Sequence, residues 1–259
     1  MVYMTNPDDF STKSRAWSNK SLEDDPHTVE DKHRRVENMF TAIARRYDLN
    51  NRLHSLWQDQ VWRSRAVRAA KLDGNEDIVD VACGTGDLAM AFCRANVRSV
   101  IGIDFTKAML DLAIVKARRA SLDIDYRQGD AMNLDLPDNS TDVVSIAFGI
   151  RNVQEPSKAF AEFYRILRPN GRLVVLEFST PSNAFIRGCN NFYTKKIMPI
   201  TATLLSGDTS GAYKYLPKSI ETFTDVRELA IEIESVGFTD IHQEAQSFGV
   251  CTITTAIKS

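Results

Sequence analysis

The stretch "IVDVACGTGDLA", Ile78 to Ala89, sets an apolar run against a tight glycine pair and then against a run with helical character. A strand that turns through Gly84-Thr85-Gly86 into a helix is the opening unit of nucleotide-binding α/β folds. The segments that follow repeat the theme. The pattern predicts strand 77–81, helix 87–95, strand 99–103, helix 107–120, strands 124–128 and 142–148, helix 156–167 and strand 172–178. Pro169, Asn170 and Gly171 supply the stop before that last strand. Strands alternating with helices imply a mostly parallel, doubly wound sheet of Rossmann-like α/β class. The chain ends in a helix over 225–236 and two strand-like runs, 239–247 and 250–257, joined too tightly for a crossover. They are expected to pair antiparallel.

Outside this core the boundaries follow composition. Residues 1–35 are polar and lack apolar periodicity, so they read as a flexible tail. Residues 36–72 form a helical cap: Val36, Met39, Phe40, Ile43 and Tyr47 fall at helical spacing, and Leu53, Leu56, Trp57 and Val61 predict a second amphipathic helix. Residues 73–180 are the ligand-binding core. Residues 181–222 are an insertion whose part 181–219 reads as irregular, and 223–259 complete the core with the terminal helix and hairpin.

The glycine turn also satisfies G-x-G-x-x-G/A, the dinucleotide pattern, because Ala89 follows at the right step. A pyrophosphate would sit on the amides of the next helix. Asp80 near the strand end and Asp87 opening the helix place carboxylates in its way. A ligand carrying positive charge suits them better: S-adenosyl-L-methionine has an ammonium, a sulfonium and a single carboxylate. Asp104, ending the next strand in "GIDFT", is placed to accept both ribose hydroxyls, or else to cap the following helix. Asp130 and Ala131 follow the third strand where a side chain meets an adenine edge. Cys83 lies in the turn without a sequence-near base and reads as packing, not as a nucleophile.

Composition bounds the rest. With 259 residues, 43% apolar, 25% charged and a net charge of −2, there is no global basic field, and no nucleic-acid partner is expected. Four cysteines without CxxC or His/Cys spacing indicate neither a metal site nor a disulfide framework. No apolar run reaches membrane-spanning length. The expectation is a cytoplasmic protein, soluble or peripheral to the inner face of a membrane.

Longer motifs carry a resemblance. "MFTAIARRYDLNNRLHSL", "VDVACGTGDLA", "GIDFTKAML", "GDAMNLDLPDNSTDVVSIAFGIRNV", "RILRPNGRLVVLEFS" and "LLSGDTSGAYKYLPKSI" together resemble the C-methyltransferases of ubiquinone and menaquinone biosynthesis from about Val36 to the C-terminus. The resemblance implies a class I methyltransferase that uses S-adenosyl-L-methionine to methylate a ring carbon of a prenylated quinol. It places Thr85, Asp104, Asp130 and Ala131, with Gly84, Gly86 and Asp80, against the cofactor. Some members carry Ser before "FGIRN", where this chain has Ala147. "GIDFTKAML" resembles the menaquinone-only branch more than the "DIN" of ubiquinone-branch members, which favours demethylmenaquinol as acceptor. A homodimer, the membrane surface and other quinone-biosynthesis enzymes are the partners this implies. The alternatives are the ubiquinone-branch reaction on 2-polyprenyl-6-methoxy-1,4-benzoquinol, another small-molecule methyltransferase, a non-catalytic cofactor-binding subunit, and, more distantly, an NAD oxidoreductase.

Ring methylation requires a nucleophilic carbon, and an ionised hydroquinol provides one by spreading phenolate charge to the ortho position. Phenols titrate at about 10, so the site needs a base or a water beside positive charge. Arg151 is the candidate for stabilising the phenolate, with a surface ion pair as its plain alternative. Asn152 either fixes a ring oxygen or caps the next helix. Tyr47 is placed to stack on the quinol, and His54 to overhang it as a base. Phe185 to Leu205 offers a groove for the prenyl tail, a dimer face or ordinary core.

Overall fold

A computed structural model describes residues 16–18, 22 and 25–259. The opening glycine turn sits where it was expected. β1 (Asp77–Val81) leads through it into α3 (Asp87–Cys93), followed by β2 (Ser99–Asp104), α4 (Lys107–Arg119), β3 (Asp125–Gln128), β4 (Thr141–Ala147), α5 (Pro156–Ile166) and β5 (Leu167–Phe178). α9 (Val226–Ser235), β6 (Phe238–Gln246) and β7 (Cys251–Lys258) close the core. The sheet runs β3-β2-β1-β4-β5-β7-β6. Its first five strands are parallel, and β7 pairs antiparallel to both β5 and β6, as the short link between the last two strands requires. Strand order reverses between β1 and β4, so the crevice at their carboxyl ends is where a doubly wound sheet binds ligand.

Alternation within the strands divides the core between two faces. Val144, Ile146 and Val175 pack against Phe160, Phe163 and Ile166 of α5 and Leu229 and Ile233 of α9. Their neighbours Val143 and Val174 point the other way, with Ile78, towards Leu88, Ala89 and Phe92 of α3 and Trp62 and Ala66 of α2 (Gln58–Ala69). Full burial of each large apolar side chain contributes about 1.5–3 kcal/mol. α9 starts where it does because Asp225 accepts from the amides of Arg227 and Glu228 while Glu228 reaches back, a complete capping box.

Three expectations about the cap need correction. First, the 1–35 segment is not a loose tail where the structure describes it. Trp17 is buried, its amide donates to Ser210 O at 2.9 Å and its ring stacks on Tyr215 at 4.5 Å. The helix α1 (Lys32–His54) already begins inside that segment, and the buried Lys32 ammonium donates to Val153 O at 2.5 Å. The rest of the tail assignment falls outside the described residues. Second, Leu53, Leu56, Trp57 and Val61 do not share a helix face. Leu53 lies in the last turn of α1, Leu56 and Trp57 form a left-handed turn with φ of 51° and 61°, and all four are exposed. Third, 181–219 is helical, not irregular: α6 (Ala184–Phe192), a π turn (Tyr193–Ile197), α7 (Met198–Ser206) and α8 (Ala212–Thr222). Short helices with Pro199 and Pro217 inside or beside them hide the periodicity that reveals longer ones. α1, α7 and α8 share a third apolar cluster with Trp17, including Met39, Ile43, Met198, Ala202 and Tyr215.

Candidate active site

Two cavities meet above the carboxyl ends of β1 and β4. The smaller, about 820 Å³, is lined by Gly84, Asp104, Asp130 and Ala131 from the strand ends. His33, Val36 and Phe40 of α1 roof it. The larger, about 1480 Å³, lies under the cap and is lined by α1, α2 and the helices between Asn190 and Ile220. Phe40, Tyr47 and Phe148 line both.

In the smaller cavity Asp104 is held by backbone donors on either side. Gly84 N donates to Oδ2 at 2.7 Å and Thr106 N to Oδ1 at 2.8 Å. Burial pushes its carboxyl up, and those two amides partly counteract that push. Each oxygen keeps a further lone pair for a diol in the cavity. It is not the helix cap, because α4 is preceded by Thr106. Asp130 accepts from Met132 N at 2.9 Å, which fixes the Asp130-Ala131 corner on the cavity wall. Gly84, at φ +56°, has open space where a side chain would stand. Ala147, in the position where some relatives carry Ser, also lines this cavity.

Asp80, Thr85 and Gly86 do not line either cavity. At Gly86, with φ +82°, a Cβ would collide with the Tyr126 hydroxyl, so that glycine serves the packing of the turn. Thr85 is buried and donates to Asp48 Oδ1 at 2.5 Å. It belongs to a network in which Lys116 reaches Asp48 at 2.6 Å and Asp87 at 2.5 Å, and Arg52 reaches Asp87 at 3.1 Å. The charge of Asp87 is therefore compensated; burial raises its carboxyl, but Lys116, then Arg63 and Arg52, outweigh that and hold it below the usual range. The expectation that Asp87 confronts the ligand as a free carboxylate is overturned. Asp80 lies beneath the turn, accepting from Ser145 Oγ at 2.7 Å through Oδ1 while Oδ2 has no partner among the described residues. Burial pushes it up to about 7. Cys83 is half-buried, its thiol raised well above the ordinary range by desolvation, and no nucleophile.

Four residues were expected on the acceptor side. Tyr47 stands at the junction of the cavities, its ring edge-on to Phe40 at 5.9 Å and its hydroxyl pushed up by burial. Arg151 lines the larger cavity, yet it is buried and paired: Nη1 donates to Glu177 Oε1 and Phe148 O, both at 2.7 Å, and the side chains are 6% and 4% exposed. The surface ion pair considered for it is thus a buried one. Asn152 lines the smaller cavity and accepts from Tyr215 OH at 3.0 Å. It does not cap α5, which is preceded by Glu155. His54 ends α1 instead of lying on a second helix. It bonds Asn50 O and Thr201 Oγ1, at the wall of the larger cavity away from the junction.

The sequence reading missed Arg63. Its guanidinium lies over the Phe148 ring at 5.2 Å, as that of Arg151 lies over Phe178 at 5.3 Å, and the two rings are 4.6 Å apart. Arg63 is buried in the wall of the larger cavity, forms no ion pair among the described residues and has an unpartnered Nε. Its one hydrogen bond is a long one, 3.5 Å, to Asp59 O. The adjacent Trp62 points into the core and gives no reason to single out the next residue.

This architecture is the class I S-adenosylmethionine-dependent methyltransferase fold. It is similar to a Thermotoga maritima methyltransferase described as a possible histamine N-methyltransferase, with a TM-score of 0.60, 20% identity, and coverage of 85% of this chain and 98% of that one. It is equally similar to the [4+2]-cyclase SpnF, with a TM-score of 0.59, 21% identity, and coverage of 77% and 80%. A cyclase on this fold shows that architecture alone does not determine chemistry. The chain belongs to the ubiE/COQ5 methyltransferase family, whose profile matches residues 28–258. Among its relatives, the Thermus thermophilus demethylmenaquinone methyltransferase is 42% identical over 83% of this chain and 97% of its own length. A Geobacter sulfurreducens ubiquinone/menaquinone biosynthesis C-methyltransferase is 38% identical over 90% and 91%. As a family member the chain is a methyltransferase of quinone biosynthesis.

Proposed function

We propose that this chain methylates a ring carbon of a prenylated quinol, with demethylmenaquinol as acceptor and S-adenosyl-L-methionine as donor. The observation that carries the reading is the meeting of two cavities of different chemistry at Phe40, Tyr47 and Phe148. One has strand-end carboxylates and a close backbone approach; the other is walled largely by apolar and aromatic side chains under the cap. The name of the Thermus relative and the "GIDFTKAML" motif support the menaquinone branch.

The smaller cavity suits the donor. Asp104 is fixed by two amides with lone pairs to spare for ribose hydroxyls, the Asp130-Ala131 corner faces the base, and Gly84 leaves the backbone open to the amino-acid end. The unpartnered Asp80 Oδ2 beneath the turn adds negative potential there when ionised. When bound, the donor supplies an electrophilic methyl group on a cationic sulfur. The chain's own residues supply the other half. Arg63, which forms no direct ion pair among the described residues, would hold the acceptor phenolate. Arg151, kept rigid by Glu177, would orient the acceptor oxygen or a water beside it, with Asn152 positioned through Tyr215. Tyr47, Phe148 and Phe40 exclude water from the junction. The cavity-facing side of the insertion, from Asn190, Thr194, Met198 and Ala202 to α8, would house the prenyl tail, and so lipid-like an acceptor brings the protein to the membrane surface.

The test is to offer reduced demethylmenaquinone and a reduced benzoquinone precursor side by side and read product masses. One added methyl on the naphthoquinol is expected, and none when the ring is kept oxidised, since the oxidised ring is electrophilic where the methyl must go. Methylation of the benzoquinol alone would overturn the branch; equal rates with oxidised ring would overturn the phenolate chemistry.

A further inference from the structure

α6, the π turn and α7 form one helical run, Ala184 to Ser206, about 34 Å long at 1.5 Å per residue. Its two sides have different surroundings. Asn190, Thr194, Met198 and Ala202, spaced by four, line the larger cavity. Shifted by two residues, Phe192, Lys196, Ile200 and Leu204 occupy the opposite side, and Phe185 precedes them seven residues earlier. That outer row is exposed, from 63% for Phe192 to 79% for Phe185 and Leu204. The inner row is mixed and faces the cavity, whereas the outer row is mostly apolar and left exposed by the described residues.

Two further large side chains join the row. Leu56 and Trp57 are exposed in the left-handed turn after α1, a conformation that disfavours both residues. His54, just before them, is tied to the run by Tyr193 OH donating to its carbonyl at 3.1 Å and by its own ring on Thr201 Oγ1 at 2.8 Å. The charge is one-sided as well. From Phe178 to Gly207 there is no acidic residue, while Arg187, Lys195 and Lys196 are present in a chain whose net charge is −2; Lys195 pairs with Glu221 of α8 at 2.9 Å, which leaves Arg187 and Lys196 without an ion pair among the described residues. Large apolar side chains beside cations, on a helix lying across the surface, is the pattern of interfacial attachment to anionic lipid.

We propose that the outer face of Ala184–Ser206, with Leu56 and Trp57, docks on an anionic lipid bilayer, so that the cavity on the inner face opens towards the lipid phase. No helix among the described residues is long and apolar enough to cross a membrane, so attachment is to the surface. This deepens the reading of the acceptor as a prenylated quinol but is measured without acceptor, so attachment and methyl transfer fail separately.

The full chain would be mixed with phosphatidylcholine vesicles with and without phosphatidylglycerol and separated by flotation. Binding to the anionic vesicles at least about tenfold tighter than to neutral ones is expected. Trp17 and Trp62 are buried, so quenching by brominated lipid would report Trp57, and Trp57→Phe should abolish it. The triple variant Phe192→Ser, Ile200→Ser, Leu204→Ser should lose vesicle binding at least tenfold while its thermal unfolding and its turnover of a short-chain acceptor stay within about twofold. Lys196→Glu, which changes one exposed side chain, should weaken only the anionic component. No binding to either vesicle would overturn the proposal. So would a dimer in sedimentation that the triple variant dissolves, which would assign the face to a second copy of the chain.

Discussion

The two cavities are built in opposite ways. The floor of the smaller one comes from the turns that follow β1, β2 and β3, beneath the α1 roof, and its carboxylates are fixed by amides two residues away, as at Asp104 and Asp130, or one strand over, as at Gly84. The larger one is assembled from helices far apart in sequence, and its polar groups are fixed by long-range partners: Arg151 by Glu177, Tyr215 by Asn152, His54 by Thr201. It also holds Arg63, a buried cation with no ion pair among the described residues. Local fixation gives a ligand site whose geometry survives changes in the cap. Long-range fixation gives one whose charge balance depends on the whole fold, and there a single substitution mixes stability with function.

The largest effect should therefore come from Arg151. Arg151→Met strands Glu177 in a buried site and should cost about 3–5 kcal/mol of stability in denaturant titration, together with a fall in kcat of about a hundredfold or more. The double variant Arg151→Met, Glu177→Gln separates the two: stability should largely return and turnover should not. Recovery of both would leave the pair a purely structural one.

Asp104→Ala should act on the other cavity alone. Loss of charge-assisted bonds to the donor's ribose is expected to weaken S-adenosyl-L-methionine binding by about ten- to a hundredfold, from about 1.5–3 kcal/mol, measured calorimetrically. An unchanged affinity would remove Asp104 from the donor site.

Arg63→Met sharpens the division further. If the unpaired guanidinium serves the acceptor, kcat/KM for the quinol should fall about tenfold with donor affinity unchanged, and Arg63→Lys should restore part of it. A loss of donor affinity instead would assign Arg63 to the donor's carboxylate.

The last test is a slope with pH. Asp80 is raised to about 7 by burial, so between the unfolded value near 3.9 and about 7 the folded state holds more protons than the unfolded one. Stability from this group is fully present below the unfolded value and is lost as pH rises through the folded one. Asp80→Asn should flatten the fall in unfolding free energy between pH 5 and pH 8, most of all below about pH 7. An identical slope in the variant would place the titration elsewhere.

What the sequence by itself determined is the sheet and the half of the site that hangs from it. Period-two strands, helix stops such as Pro169-Asn170-Gly171 and the glycine turn are local signals that give the elements and their parallel or antiparallel sense, while the strand order, with its reversal at β1 and β7 inserted between β5 and β6, came from the tertiary structure. Gly84, Asp104, Asp130 and Ala131 were legible because each stands at a strand end, where topology forces side chains and backbone towards the crevice. The tertiary structure decided the rest. Thr85 and Asp87 look like ligand residues until Asp48, Lys116 and Arg52, from other helices, arrive to occupy them. Trp17 and Lys32 sit in a polar segment that shows no periodicity, and only the pocket formed by α8 and the Val153 carbonyl buries them. Arg63 has no motif at all. Its significance is that it forms no direct ion pair among the described residues, although its charge is felt by Asp80 and Asp87, and that is a property of what packs around it and not of its neighbourhood along the chain.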